Sequence, residues 1–166
     1  MSTTENWQDI PGFEGRYQVS DLGRVRSLPF MQRYLLRNGR EAFRRTRERI
    51  LKAHPQNSGY LLVHLYLDNK RTAATVHTLV ACLFVPNPDD LPEVNHRDGV
   101  KTNCAAGNLE WSTRTGNLSH AVDTGLNATA VRVVHPATGE VFPSIARAAR
   151  VARVSHRTVA ATWARA

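Results

Sequence analysis

The longest apolar stretch in the chain runs only from Val76 to Val85, is interrupted by His77 and Thr78, and is followed by Pro86 and Pro88. A membrane-spanning helix needs about 20 consecutive apolar residues, so none is expected here and any core must be assembled from short elements. In 166 residues that leaves room for one ordinary domain or for two or three very small ones. Within the stretch, Leu79, Val80, Leu83 and Phe84 recur at helical spacing, which predicts a short buried helix from His77 to Phe84 that the prolines end.

Strand signals surround it. Tyr17 to Ser20 and Arg24 to Leu28 bracket Asp21-Leu22-Gly23, a hairpin pattern in which the glycine supplies positive φ. Asn57-Ser58-Gly59 reads as a turn before a strand from Tyr60 to Leu67; the turn Asp68-Asn69-Lys70 and a strand from Thr72 to Val76 complete a second hairpin. Beyond the helix come Glu93 to His96, the turn Arg97-Asp98-Gly99, an Asn-rich loop, Leu109 to Ser112, and a helix from about Thr113 to Val122. Asp123 to Ala130 has no core-forming pattern and reads as a linker. After it, Val131 to His135 and Glu140 to Phe142 can pair across Pro136 to Gly139, and two helices are expected to start at Ser144 and Ser155, each serine being a good N-cap. Their spacing suits a helix-turn-helix.

Charge is unevenly spread along the chain. Residues 14 to 52 hold eleven Lys/Arg against four Asp/Glu, residues 53 to 125 five against seven, and residues 126 to 166 six against one. Two basic arms therefore flank a mildly acidic middle within a net +8, which favours a polyanionic partner such as nucleic acid or an acidic membrane. For Arg40 to Arg49 the bland reading is a solvated helix face; the second basic arm weighs against it. Only Cys82 and Cys104 are present, with no partner at metal-site spacing, which fits a reducing cytosol. The start Met-Ser-Thr-Thr-Glu-Asn lacks the basic and apolar regions of a signal peptide. A cytoplasmic protein is the expectation, in the host cytoplasm if the chain is phage-encoded.

The middle of the chain carries the chemistry: Val94-Asn95-His96-Arg97-Asp98-Gly99, then Asn108-Leu109-Glu110-Trp111, then Asn117-Leu118-Ser119-His120. Cutting a phosphodiester needs a base that deprotonates water and a cation that stabilises charge on the phosphoryl and leaving oxygens. Histidine suits the first role near neutral pH, and hard oxygen ligands suit Mg²⁺. Asn95 and His96 are adjacent, so on a regular strand their side chains face opposite ways.

In this stretch the chain resembles the HNH endonucleases of phages and introns, with His96, Asn108 and Asn117 in the order of the three-part signature. Trp7 to Ser20, continued by Arg49 to Lys52 and Gly59-Tyr60, resembles the N-terminal module that often accompanies these nucleases. Ser144 to Ala149 is similar to their small helix-turn-helix module. The Arg-rich segment from Pro29 to Glu48 is least accounted for. The resemblance implies that His96 activates water and that Asn95 and Asn117 coordinate a single divalent metal, Mg²⁺ with Mn²⁺ as the alternative. It also implies that Asn108 holds the loop by hydrogen bonds. Asn95 often corresponds to Asp in related nucleases, so neither ligand is charged here and weak metal affinity is expected; Asp98 and His120 are fallback ligands.

The reading is an α+β chain of three modules: a β-rich N-terminal DNA-binding module (1–55), a ββα-metal core (56–125), and a C-terminal hairpin with helix-turn-helix (126–166). Its function would be metal-dependent nicking of double-stranded DNA at preferred sites, by a monomer that does not enter membranes. DNA contacts are expected from Arg16, Arg24, Arg26, Arg44, Arg45, Arg47 and Lys52 in the first arm, and from His156, Arg157 and Thr158 in the last helix. The alternative is a non-catalytic helix-turn-helix DNA-binding protein with a decayed core, which has no reason to keep His96; an RNA-binding protein would need an aromatic-studded sheet that is not evident. Asp98, beside Gly99, has a bland reading as a turn former, His77 as a packed or DNA-contacting residue, and His120 as an exposed helix residue. Trp7 and Trp111 read as core aromatics.

Overall fold

The computed structural model describes residues 4–126 and 130–166. It forms two compact units, Met1–Trp111 and Ser112–Ala166. The linker expected from Asp123 to Ala130 lies partly outside the described residues; its first residue, Asp123, ends a helix.

The first unit opens with strands β1 (Trp7–Asp9), β2 (Tyr17–Ser20) and β3 (Val25–Ser27). A separate hairpin follows, β4 (Met31–Leu35) with β5 (Glu41–Arg45), and β6 (Arg49–Ile50) then returns to β3, giving the sheet order β1-β2-β3-β6. Arg40 to Arg49 is therefore strand and turn rather than a helix face, because pairing with β4 and β3 supplies the backbone hydrogen-bond partners. At the expected first hairpin, Val19 lies opposite Val25 and Gly23 has φ +81°. A Cβ on Gly23 would also stand 2.8 Å from Cys104 Cβ. Conformation and contact both demand glycine, so Gly23→Ala is expected to destabilise the unit by about 2 kcal/mol or more. Urea unfolding measures this, and an unchanged midpoint would disprove the close approach.

Strands β7 (His54–Pro55), β8 (Leu61–Leu67) and β9 (Lys70–Thr75) form a second sheet in that order. The β8–β9 turn places Asp68 and Asn69 at positive φ, which short polar side chains tolerate, so the register runs from Leu67↔Lys70 to Leu62↔Thr75. Helix α1 (Val76–Phe84) follows at once, and β10 (Glu93–His96) pairs with β11 (Leu109–Ser112).

One core binds these pieces. Ile10, just after β1, and Val19 and Val25 from the first sheet join Val63 and Leu65 from β8, Val76, Val80 and Ala81 from α1, and Cys104 and Leu109. Fully burying a Val or Leu contributes roughly 1.5–3 kcal/mol, and this cluster draws on both sides of residue 55. The core is therefore continuous across the module boundary expected at residue 55. Trp111 packs on the cluster and donates from Nε1 to the Val85 carbonyl at 3.0 Å, as a core aromatic should. Trp7 is only half-buried, with the Arg26 guanidinium 4.2 Å over its ring.

In the second unit α2 (Arg114–Asp123) is capped by Thr113, whose hydroxyl accepts from Gly116 N at 3.0 Å. Strands β12 (Val133–Val134) and β13 (Val141–Phe142) pair as expected. Helices α3 (Ile145–Ala152) and α4 (His156–Thr162) start after Ser144 and Ser155, whose hydroxyls accept from Arg147 N and Thr158 N at 3.1 and 3.0 Å. A third strand not anticipated from the sequence, β14 (Ala164–Arg165), adds to the other edge of β12. Val133, Phe142, Ala148, Ala149 and Val159 form a separate small core, flanked by Trp163. Among the described residues no helix is long and apolar enough to cross a membrane.

Candidate active site

His96 ends β10, and strand alternation separates it from its neighbour. The His96 ring is buried, 4% exposed, and lies 5.1 Å from the ring of His77 and 5.8 Å from that of Tyr60. Asn95 is held elsewhere: its Nδ2 donates to Glu110 Oε1 at 2.9 Å, and Glu110 Oε2 receives Arg97 Nε at 3.1 Å. Glu110 thus fixes the Asn95 amide from the facing strand and leaves its Oδ1 as the hard donor.

His77, in the first turn of α1, was legible only as an oddity, a histidine inside an apolar run. Its ring stacks on Tyr60 at 4.6 Å, while Lys101 Nζ sits 4.8 Å from the Tyr60 ring centre and donates to Ser58 O at 2.8 Å. Burial, with a smaller contribution from His96, pulls the His77 pKa down to about 4. His96 is also lowered, first by burial; Asp98 opposes the shift and Lys101 adds to it. His96 Nε2 and His77 Nδ1 are buried with no hydrogen-bond partner among the described residues. A neutral imidazole with an unengaged ring nitrogen can accept a proton.

The turn after His96 is locked by Asn108. Its Oδ1 accepts from Asp98 N at 3.1 Å, and its Nδ2 donates to Asp98 Oδ1 and to Asn103 O, both at 2.9 Å. Arg97 N also donates to the Asn108 carbonyl at 2.9 Å. The Asp98 carboxylate in turn accepts from Val100 N at 2.8 Å and Asn103 Nδ2 at 2.6 Å. These bonds, that of Asn103 first, hold the Asp98 carboxyl below its ordinary range. Three hydrogen bonds thus tie the Asp98 carboxylate to the turn. Asn117 and His120 lie on α2 in the second unit and are both half-buried.

Among the described residues no group of three or more His, Cys, Asp or Glu could hold a metal ion. The donor chemistry therefore fits a hard divalent cation only if amide oxygens carry it, with water and phosphate completing the shell. Asn95 Oδ1 meets that requirement.

Known proteins resemble the chain in sequence and fold. Residues 5–66 match the NUMOD4 motif. The DNA endonuclease I-HmuI of Bacillus phage SP01 is 32% identical over 119 residues, covering 72% of this chain and 59% of the relative. The solved structure described as DNA binding and cleavage by the HNH homing endonuclease I-HmuI superposes with a TM-score of 0.55 at 27% identity, over 93% of this chain and 87% of that one. These relatives are HNH endonucleases. An uncharacterized HNH endonuclease of Acanthamoeba polyphaga mimivirus is 34% identical over 60% of this chain and 30% of its own length. The chain thus spans between about a third and three-fifths of the curated relatives it matches.

The basic residues of the chain divide by how far the fold already uses them. Arg26 donates from Nε and Nη2 to Gln18 Oε1 at 2.9 and 2.6 Å and from Nη1 to Glu48 at 3.2 Å. Arg24 pairs with Glu5, and the Arg16 guanidinium lies 3.5 Å from the centre of the Phe30 ring. Arg44 donates to Gln32 at 3.0 Å, whereas Arg45, Arg47 and Lys52 are exposed. Arg16, Arg33, Arg44, Arg45, Arg47 and Arg49 line one open groove of about 930 Å³, in which Asp68 is the only carboxylate among the described residues. In the second unit His156, Arg157 and Thr158 are exposed on the first turn of α4, the Thr158 hydroxyl lying 2.8 Å from that of Ser155.

Proposed function

We propose that the chain is a metal-dependent DNA endonuclease that hydrolyses phosphodiester bonds, nicking duplex DNA at preferred sites, with His96 as general base. The observation that carries this reading is the unengaged, buried Nε2 of His96 on an imidazole kept neutral by its surroundings. Such a nitrogen can take the proton of an attacking water. Asn108 fixes the turn that follows His96, and Glu110 orients the Asn95 amide. Asn95 would hold the divalent metal, Mg²⁺ or Mn²⁺, through its side-chain oxygen. When bound it would neutralise charge on the phosphoryl and leaving oxygens.

Double-stranded DNA is the partner we infer, taken by a monomer. In this division of labour the N-terminal module (1–55) holds phosphates through Arg16, Arg44, Arg45, Arg47 and Lys52, with Arg24 and Arg26 sharing that role with the fold. The ββα-metal core (56–125) cuts. The C-terminal module (126–166) presents His156, Arg157 and Thr158 as the start of a helix-turn-helix recognition helix.

Supercoiled plasmid incubated with and without Mg²⁺ tests the proposal, since nicking should appear only with the metal. Because the proposed ligand is neutral, half-maximal activity is expected at roughly millimolar Mg²⁺. Asn95→Asp should keep activity and lower that concentration. A variant inactive at every Mg²⁺ concentration would remove Asn95 from the metal shell, and a parental protein that binds plasmid without ever nicking it would leave a DNA-binding protein with a decayed core.

A further inference from the structure

Three aromatic rings from three segments of the first unit meet at the proposed base. The ring centres of His77 and His96 lie 5.1 Å apart, those of Tyr60 and His96 5.8 Å, and those of Tyr60 and His77 4.6 Å, at interplanar angles of 60, 32 and 37°. Each flanking ring is itself held. His77 belongs to the first turn of α1, and the buried Val76, Val80 and Ala81 anchor that helix in the shared core. Tyr60 leaves a closed turn in which Gly59 N donates to Gln56 O at 2.8 Å and Gln56 N to Tyr60 O at 2.9 Å. Lys101 braces the same turn: its Nζ donates to Ser58 O at 2.8 Å and stands 4.8 Å from the centre of the Tyr60 ring.

A general base works only while its lone pair is aimed at the attacking water, and a misplacement of about 1 Å can cost about 100-fold in rate. A hydrogen bond to a ring nitrogen often fixes the direction of a catalytic imidazole. His96 Nε2 has no such partner among the described residues, so at that atom the surrounding rings, rather than a hydrogen bond, restrict rotation. Ring centres about 4.5–7 Å apart lie in the range of favourable tilted and edge contacts, and all three pairs fall within it. The His77 ring also brings no second charge to the base, because burial pulls its pKa down to about 4. We propose that His77 is a positioning residue for cleavage: with Tyr60, its ring clamps the His96 imidazole in the orientation that accepts the proton of the attacking water. The inference rests on His96 acting as general base in the proposed reaction, whereas the ring order it requires can be measured without cleavage.

Single-turnover cleavage of duplex DNA by the full-length protein in Mg²⁺, run well below each variant's melting temperature, reads the effect on rate. His77→Ala should lower the rate at saturating DNA by about 10- to 100-fold and leave the half-saturating DNA concentration unchanged. His77→Phe, which restores a ring, should stay within about 3-fold of the parent. Val25→Ala, a truncation in the same core on the first sheet, should lower the melting temperature and keep the parental rate. NMR relaxation of isotope-labelled histidine rings, with the His96 signal assigned as the one lost in His96→Gln, reads ring order directly. Order should fall in His77→Ala and be kept in His77→Phe. Should His77→Ala fail to fold, Tyr60→Leu, at a half-buried position, carries both measurements and is expected to shift them the same way. A parental rate in folded His77→Ala overturns the proposal, as does a Val25→Ala protein slowed as much as His77→Ala, which would mark the loss as one of general stability. A His77→Phe protein as slow as His77→Ala overturns it too, since the nitrogen rather than the ring would then matter. If the parent never nicks DNA, the nuclease reading alone falls; unchanged His96 ring order in His77→Ala then overturns the clamp, and lost order sustains it.

Discussion

Replacing His96 with alanine is expected to lower the rate of phosphodiester cleavage by about 10²- to 10⁴-fold, the usual loss for a general base, while duplex binding stays at the parental level. The groups proposed to hold DNA, Arg45, Arg47 and Lys52 among them, are exposed arginines and a lysine remote from β10 in sequence. Because His96 is buried beside His77, His96→Gln serves as a companion that keeps most of the volume without a basic ring. Single-turnover cleavage and fluorescence anisotropy on the same duplex read the two effects. Nicking at the parental rate by either variant would remove His96 from the chemistry.

The second large effect concerns acid stability. His77 titrates near 6.5 in an unfolded chain but only at about 4 in the folded one, so between those values the unfolded state binds more protons. The stability this contributes is complete above pH 6.5 and drains away as pH falls through 6.5 toward 4, amounting to about 3 kcal/mol. His77→Phe keeps a ring against Tyr60 and cannot be protonated. Urea unfolding of parent and variant at pH 7 and pH 4.5 should show the parent losing about 2 kcal/mol more than the variant across that interval. Parallel losses would mean that His77 is already protonated, or equally exposed, in the folded state.

Elements with a buried face were the legible ones. The β2–β3 hairpin, α1 and the β8–β9 hairpin each have apolar residues at the period of their geometry, because one face of each meets the shared core. Ser144 and Ser155 marked helix starts because a hydroxyl is needed there. The β4–β5 ribbon lacks such a signal: its outer face alternates Met31, Arg33 and Leu35, all exposed, and only pairing with the opposite strand makes it a strand. At two residues, β14 is too short to show any period.

The site was legible where it is local. Asn108 and Asp98 lie in one polar turn, and their bonding follows from that turn's chemistry. The contacts of His77 and Tyr60 with His96 join three separate segments of the chain, and Glu110 reaches Asn95 from the facing strand. No spacing along the chain encodes such approaches; a histidine set among apolar residues was the one available hint.

The common core of Val19, Val25, Val63, Leu65 and Leu109 has a metrical consequence. The sheet that adjoins the β4–β5 hairpin and the turn that follows His96 grow from the same packed residues, with no flexible tether between them. On the proposed function, the number of base pairs from the phosphates held by the first basic arm to the severed bond is therefore a built-in gauge, like the spacing of two prongs on one handle. Lengthening exposed loops elsewhere in the unit would leave that gauge unchanged, and shifting the cut would require rebuilding the handle itself.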